Sequence, residues 1–145
     1  MKIKKNESSL DLTSLYEQAI ESMPVHIYWK DMNFQYIGCN LLQANDLGLK
    51  SIDEIIGKTD YDLLEKDTAD IIRKNDNKII MTGKPSIFEE PWANFVFLTQ
   101  KIPLFDSLGK IIGLAGISFN ITERKKREEK TIHEKRVMEQ TLESI

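Results

Sequence analysis

The spacing of hydrophobic and polar positions along this chain changes character several times, and each change marks a boundary between element types. Residues 1–8 are polar, with no repeating apolar pattern. Leu15, Ala19, Ile20 and Met23 then recur at helical spacing, Ser14-Leu15-Tyr16-Glu17 has the form of a capping box, and Pro24 stops the run. Two short aromatic and β-branched runs follow, residues 25–30 and 34–39, and the turn-prone Asp31-Met32-Asn33 between them predicts a hairpin. Asn40 is placed to cap a helix over 41–47 that Gly48 ends, and Ser51-Ile52-Asp53-Glu54 predicts a second capping box before Gly57.

The longest helical pattern in the middle of the chain is 65–82, with Ala69, Ile72 and Ile79 or Ile80 on one side and Gly83 and Pro85 beyond its end. After it, residues 86–90, 95–104 and 110–121 read as strands, the last two joined by the turn Asp106-Ser107-Leu108-Gly109. Strands grouped at both ends with helices between them predict an antiparallel sheet with helices on one face, an α+β fold. From Thr122 the globular pattern stops. Residues 121–145 hold seven Lys/Arg and six Asp/Glu without Gly or Pro, and Ile121, Met138, Leu142 and Ile145 fall on a 3-4 repeat. Polar Arg124, Glu128, Thr131 and Lys135 interrupt that repeat, so a solvated single helix and a signalling coiled coil are equally compatible with the spacing.

Bulk properties narrow the field without identifying a function. At 145 residues the chain fits one domain, which can bury roughly two-thirds of its unfolded surface. With 41% hydrophobic and 30% charged residues it has an ordinary globular composition, and a net charge of −3 gives no electrostatic reason to expect nucleic-acid binding. No apolar run reaches membrane-span length and the N-terminus lacks the apolar stretch of a signal peptide, so the expectation is a cytoplasmic protein without direct membrane contact. The single cysteine, Cys39, excludes an internal disulfide and a thiolate zinc site, and reads as a small buried hydrophobe.

Four segments in order carry a family likeness. Met23-Pro24-Val25-His26-Ile27-Tyr28-Trp29-Lys30-Asp31 resembles the opening strand of the PAS domains of bacterial sensor kinases, and Tyr36-Ile37-Gly38-Cys39-Asn40 the second strand. Ile56-Gly57-Lys58-Thr59-Asp60-Tyr61-Asp62-Leu63 is similar to the family's Gly-Lys-Thr turn. Lys101-Ile102-Pro103-Leu104, the 106–109 turn, residues 113–117 and Asn120-Ile121-Thr122-Glu123-Arg124-Lys125 resemble the closing hairpin and terminal motif. The resemblance spans about residues 15–127 and implies a five-stranded antiparallel sheet with helices on one face: an N-terminal flanking helix over 1–23, a sensor domain over 24–121 and a C-terminal signalling helix over 122–145. One residue departs from the pattern: the family's terminal Asp-Ile-Thr begins here with Asn120. Asn caps about as well as Asp but without the charge term with the helix dipole, roughly 0.3–1 kcal/mol.

Candidate chemistry is sparse. His26 and His133 are far apart and neither has ligand spacing to a second metal-binding residue, so no metal site is expected. His133 lacks the Pro and apolar surroundings of a phosphoacceptor helix. The pairs Asp60/Asp62 and Glu89/Glu90 read as surface charge and turn chemistry, and no catalytic residues are assigned: the chain reads as a regulatory domain rather than an enzyme. Family members that ligate haem use a His on the middle helix, and residues 65–82 contain none; those with cysteinyl-flavin chemistry use a Cys after the Gly-Lys turn, and none follows Gly57. The cofactor, if there is one, is not named by the sequence. The resemblance implies a pocket between sheet and middle helix, with Tyr28, Tyr36, Ile56, Ile72, Asn75, Phe88, Phe97, Thr99 and Ile117 as candidate lining; equally, these aromatics fill a ligand-free core. Trp92 is expected at the surface or at an interface.

The implied function is sensory input relayed through Asn120, Ile121 and Thr122 to an output module in the same polypeptide, first of all a histidine kinase of a two-component phosphorelay. Alternatives are a ligand-free dimerisation spacer, or the input of a cyclic-dinucleotide enzyme or DNA-binding regulator. The expected partner is a second copy, joined through Leu15, Ile20, Met138, Leu142 and Ile145, which would otherwise expose apolar surface.

Overall fold

A computed structural model describes residues 11–145 of the protein; the polar stretch 1–8 lies outside the described residues. Its elements run α1 (Leu12–Ser22), β1 (His26–Asp31), β2 (Tyr36–Cys39), α2 (Leu41–Asp46), a 3₁₀ turn (Ile52–Ile55), α3 (Asp60–Leu63), α4 (Lys66–Thr82), β3 (Ser86–Trp92), β4 (Phe95–Phe105), β5 (Ile111–Asn120) and α5 (Thr122–Glu143). The five strands form one antiparallel sheet in the order β2-β1-β5-β4-β3, so the first and last strands of the chain are central neighbours. The fold is α+β, as the grouping of strands predicts.

Local chemistry sets most boundaries, with two corrections to the capping pattern. Asp11, not Ser14, caps α1: its carboxylate accepts from Thr13 N at 3.2 Å, while Ser14 Oγ accepts from the Gln18 amide. Ser51 makes no capping bond, because Glu54 reaches past it to accept from Lys50 N at 2.9 Å. A reciprocal contact forms instead at α3, where Thr59 N donates to Asp62 Oδ2 at 2.9 Å. Asn40 caps α2 as expected. It is buried, and its Oδ1 accepts from Gln43 N and from Ile27 N while its Nδ2 donates to Val25 O, so one side chain ties α2 to β1.

Strand alternation divides the sheet's faces. Tyr28 and Lys30 of β1, Phe97, Thr99 and Lys101 of β4, and Gly116 and Leu114 of β5 share the face covered by the helices, as their cross-strand pairings require. Tyr28, Tyr36, Cys39, Ala44 and Ile55 form the apolar core cluster, with Leu47, Leu49, Ile52 and Leu63 against it. Cys39 is buried there, and burial pushes its thiol pKa up to about 11.

The pairing of β1 with β5 leaves no room for a side chain at Gly113, where an added Cβ would lie well inside contact distance of Lys30 O. Because the obstacle is backbone, Gly113→Ala must push the two central strands apart. The expected cost is at least about 1–3 kcal/mol, read as a lower urea midpoint; a midpoint equal to the parent chain's would show that the strands tolerate the separation.

Candidate ligand site and relay

The centre of the covered face is charged rather than apolar. Lys30 and Lys101 occupy inward strand positions, and both ammonium groups are fully buried. Lys30 Nζ donates to Asp60 Oδ2 at 2.5 Å and to Asp76 Oδ2 at 2.7 Å. Lys101 Nζ donates to Asp76 Oδ1 and lies 2.7 Å from Glu90 Oε2. Asp76 thus bridges both lysines from α4, while Asp60 comes from the start of α3 and Glu90 from β3. Tyr36 donates its hydroxyl to Asp60 Oδ1 at 2.6 Å, and Asn75 Nδ2 donates to Glu90 Oε2 at 2.9 Å.

Burial works against the charges of Asp76 and Lys101, and their partners overcome it. For Asp76, desolvation pushes the pKa up, but Lys30 and Lys101 hold it below the ordinary value of 3.8. For Lys101, desolvation pulls the pKa down, but Asp76 and Glu90 raise it above 10.5. Burial first, then the neighbouring carboxylates, keeps the Tyr28 and Tyr36 phenols well above their usual range, so both remain neutral.

Beside this cluster lies a cavity of about 50 Å³ whose walls include His26, Tyr28, Tyr36, Glu90, Trp92 and Phe97, with Gln43, Ile72, Thr99 and Ser118 completing its polar and apolar sides. A second, open cavity of about 490 Å³ shares His26, Trp92, Phe97 and Ser118 with it and carries Asp46 and Asn120 at its rim. The shared residues form the wall common to the two spaces. His26 and Phe97 rings are 5.1 Å apart, Trp92 and Phe97 5.8 Å, and His26 Nε2 lies 2.6 Å from Asp46 Oδ2.

Of the candidate pocket residues, Tyr28, Tyr36, Ile72, Phe97 and Thr99 line the inner cavity. Asn75 acts behind the wall by holding Glu90, and Phe88 lies on the same face of the sheet, its ring 5.9 Å from Lys101 Nζ. Ile56 and Ile117 are not part of it. Ile117 pairs with Ile27 and so projects from the opposite face, and Ile56 follows the 3₁₀ turn with its side chain more than half exposed. Trp92 is a wall residue rather than a surface one, because β3 runs on through it. The reading of Asp60 and Glu90 as surface charge is also overturned: both are buried, and only their neighbours Asp62 and Glu89 serve turn or surface roles. Lys30, Asp76 and Lys101 were missed, although the signal was present: each occupies a core-facing position in a pattern whose other members, Tyr28, Thr99 and Ile79, are apolar or small.

At the far end of β5 the chain passes directly into α5. Asn120 Oδ1 accepts from Thr122 N at 3.0 Å and from Thr122 Oγ1 at 2.6 Å. Thr122 Oγ1 in turn accepts from Val96 N at 2.9 Å, and Ile121 N donates to Val96 O at 2.9 Å. Lys125 on the first turn of α5 lies 2.8 Å from Glu89 of β3. The first turn of the exit helix is therefore fastened to two strands of the sheet. Leu15 and Ile20 on α1 are half-buried, while Met138, Leu142 and Ile145 are exposed.

A sheet of this strand order, with a polar cavity under its helices and a helix leaving its central strand, defines the PAS class of sensory α+β domains. The sequence matches the PAS fold family over residues 20–126, and the chain belongs to that family. It is 25% identical over 116 residues to a rice protein described as probable histidine kinase 1, and 23% over 120 residues to the aerobic respiration control sensor ArcB of Escherichia coli. It is 28% identical over 121 residues to a diguanylate cyclase of Vibrio cholerae. These alignments cover 77%, 79% and 76% of this chain but only 12%, 15% and 36% of the relatives, so the chain spans a minor part of their length. Among solved structures, the PAS domain of Bordetella pertussis BvgS superimposes with a TM-score of 0.64 at 21% identity, covering 88% of this chain and 99% of that one. The Vibrio VqmA–ligand–DNA complex gives 0.65 at 24% identity, over 78% and 52%.

Removing the shared carboxylate exposes what it supports. Asp76→Ala leaves two buried ammonium groups short of a partner and is expected to destabilise the fold by about 3–5 kcal/mol. Because the folded pKa of Asp76 is depressed, its contribution is complete above the unfolded value of 3.8 and disappears as pH falls through the lower folded value. Thermal melts from pH 6 downward therefore fall more steeply for the parent chain than for the variant; parallel curves would remove Asp76 from the acid response.

Proposed function

We propose that this domain is the sensory input of a larger signalling protein: it binds a small molecule in the cavity beneath the sheet and passes the change to α5. The observation that carries this reading is the geometry of β5. Ser118 lines the cavity, and two residues on, Asn120 Oδ1 accepts from the backbone N–H and hydroxyl of Thr122, the first residue of the exit helix, so a ligand that shifts this strand acts on the joint without an intervening loop. The related VqmA, whose structures include one bound to DPO and one with ligand and DNA, supports ligand occupancy in a fold of this kind. A packed, ligand-free spacer accounts less well for a cavity lined by the polar side chains of Glu90, Tyr28 and Gln43. Among the described residues no helix is long and apolar enough to cross a membrane; this reading makes the domain a regulatory module in the cytoplasm rather than a catalyst.

The output we favour is a histidine kinase, on the likeness to ArcB and the rice kinase; the diguanylate cyclase match supports a cyclic-dinucleotide enzyme as the second reading. Either output is driven through a homodimer. The exposed Val137, Met138 and Leu142 of α5, with Ile145 just beyond its end, supply an apolar stripe for a second copy, and α1 the other contact.

Two measurements test this reading. Losing the hydrogen bonds from Thr122 to Asn120 Oδ1 costs roughly 1 kcal/mol, comparable to the biases that switch a two-state element. Asn120→Ala is therefore expected to stay folded by circular dichroism yet uncouple ligand from output in the intact protein, whereas Asn120→Asp retains or tightens coupling. A normal response from folded Asn120→Ala would refute the relay. For assembly, light scattering at high micromolar concentration should give a dimer that is lost on deleting 1–22 and 123–145; a monomer before deletion, or a dimer after it, would place the interface elsewhere.

A further inference from the structure

The buried ion cluster is not charge-balanced. With every group in its ordinary ionised form, the carboxylates of Asp60, Asp76 and Glu90 face only the ammonium groups of Lys30 and Lys101, leaving one negative charge in excess. No other cation supplies it: Arg73 stacks on Phe34 and Tyr61, Lys78 on Phe88, and neither forms an ion pair with the cluster among the described residues. His26 brings no surplus, since it is paired with Asp46. A buried, uncompensated carboxylate is costly.

The excess is located. Of the five ions only Glu90 lines the inner cavity, and both contacts it makes in the cluster fall on Oε2, leaving Oε1 without a hydrogen bond among the described residues. Two further polar side chains line the same space. The Tyr28 hydroxyl and the Gln43 amide belong to side chains 5% and 8% exposed, both line the cavity, and neither makes a side-chain hydrogen bond among the described residues. The remaining walls are aromatic: Trp92, Phe97 and Tyr36 present ring surface, which attracts a cation once water is excluded. At the open rim, Asp46 is the one ionised lining residue of fixed sign, and no Lys or Arg lines it.

We propose that this cavity selects a small cationic amine or protonated nitrogen heterocycle, with an N–H donated to Glu90 and the ring or alkyl part held between Trp92 and Phe97. This rests on the sensory reading above and adds the ligand's charge and size. A cavity of about 50 Å³ holds roughly four waters at about 10–15 Å³ each, room for the charged end of such a ligand, and the adjoining cavity of about 490 Å³, which shares Trp92 and Phe97, takes the rest. Gln43 and the neutral Tyr28 phenol set its orientation, and the ligand's charge balances the cluster.

The test uses the full chain and compares probes of one size and different charge: 4-aminopyridine and methylammonium, cationic at neutral pH, against the uncharged aniline and acetamide. The cations are expected to raise the melting temperature with concentration, and calorimetry should give at least tenfold tighter binding for 4-aminopyridine than for aniline. Glu90→Gln, which removes the excess charge but keeps a hydrogen-bonding side chain, is expected to fold with a melting temperature at or above the parent's and to lose that tenfold preference. Equal binding of aniline and 4-aminopyridine, or preserved preference in Glu90→Gln, would overturn the proposal. An unfolded Glu90→Gln would do the same, since Glu90 would then be a structural partner of Lys101. Binding confined to the uncharged probes would defeat the charge assignment and leave the sensory reading standing. Binding of neither set would defeat it too, while the sensory reading still answers separately to the Asn120→Ala output.

Discussion

Asp76 holds two buried lysines at once, and the arrangement of this domain follows from that constraint. An ammonium group at an inward strand position can be buried only if a carboxylate meets it, so the register of β1 and β4 and the position of α4 must be satisfied together. The sheet, α3 and α4 are thereby fastened at their centre by charge, while the apolar cluster around Tyr28, Tyr36 and Ile55 packs to one side. Such a cluster contributes less net stability than an apolar core of equal volume, but breaking it is expensive. That asymmetry makes it a means of specifying one arrangement of sheet and helices.

The same constraint explains why a cavity persists beside the cluster. Ions need hydrogen-bonding partners with fixed geometry, and apolar side chains cannot close over Glu90 without stranding its second oxygen. The space left is walled by aromatic rings on one side and by Gln43 and Tyr28 on the other. A pocket of this kind is a by-product of charge burial that a ligand can complete.

β5 connects the pocket to the exit helix. Alternation puts Ser118 and Asn120 on one face of the strand, and both border the outer cavity. Two hydrogen bonds between the Val96 backbone and Ile121 and Thr122 then lock the first turn of α5 to β4, and two more tie Thr122 to Asn120 at the end of β5. Beyond Lys125 and its contact with Glu89 the helix has no buried residue, so what it transmits is set in its first turn.

Period and turn chemistry in the sequence determined the order of elements, the antiparallel sheet, the long α4 and the direct passage from β5 into α5. These are local properties: Gly83 in a left-handed conformation ends α4, and Asn40 caps α2, whatever surrounds them. The family resemblance placed a pocket between sheet and middle helix, which is why Tyr28, Phe97 and Thr99 were legible as candidate wall residues. Tertiary structure alone decided that Lys30 and Lys101 are buried, that Asp60 and Glu90 leave the surface, and that Trp92 closes the pocket. The carboxylate partners of those lysines lie 30, 46, 25 and 11 residues away in the chain, and nothing in the spacing of one segment reports the charge of another. A lysine at an inward strand position is a contradiction until the carboxylate that resolves it is brought there by the fold.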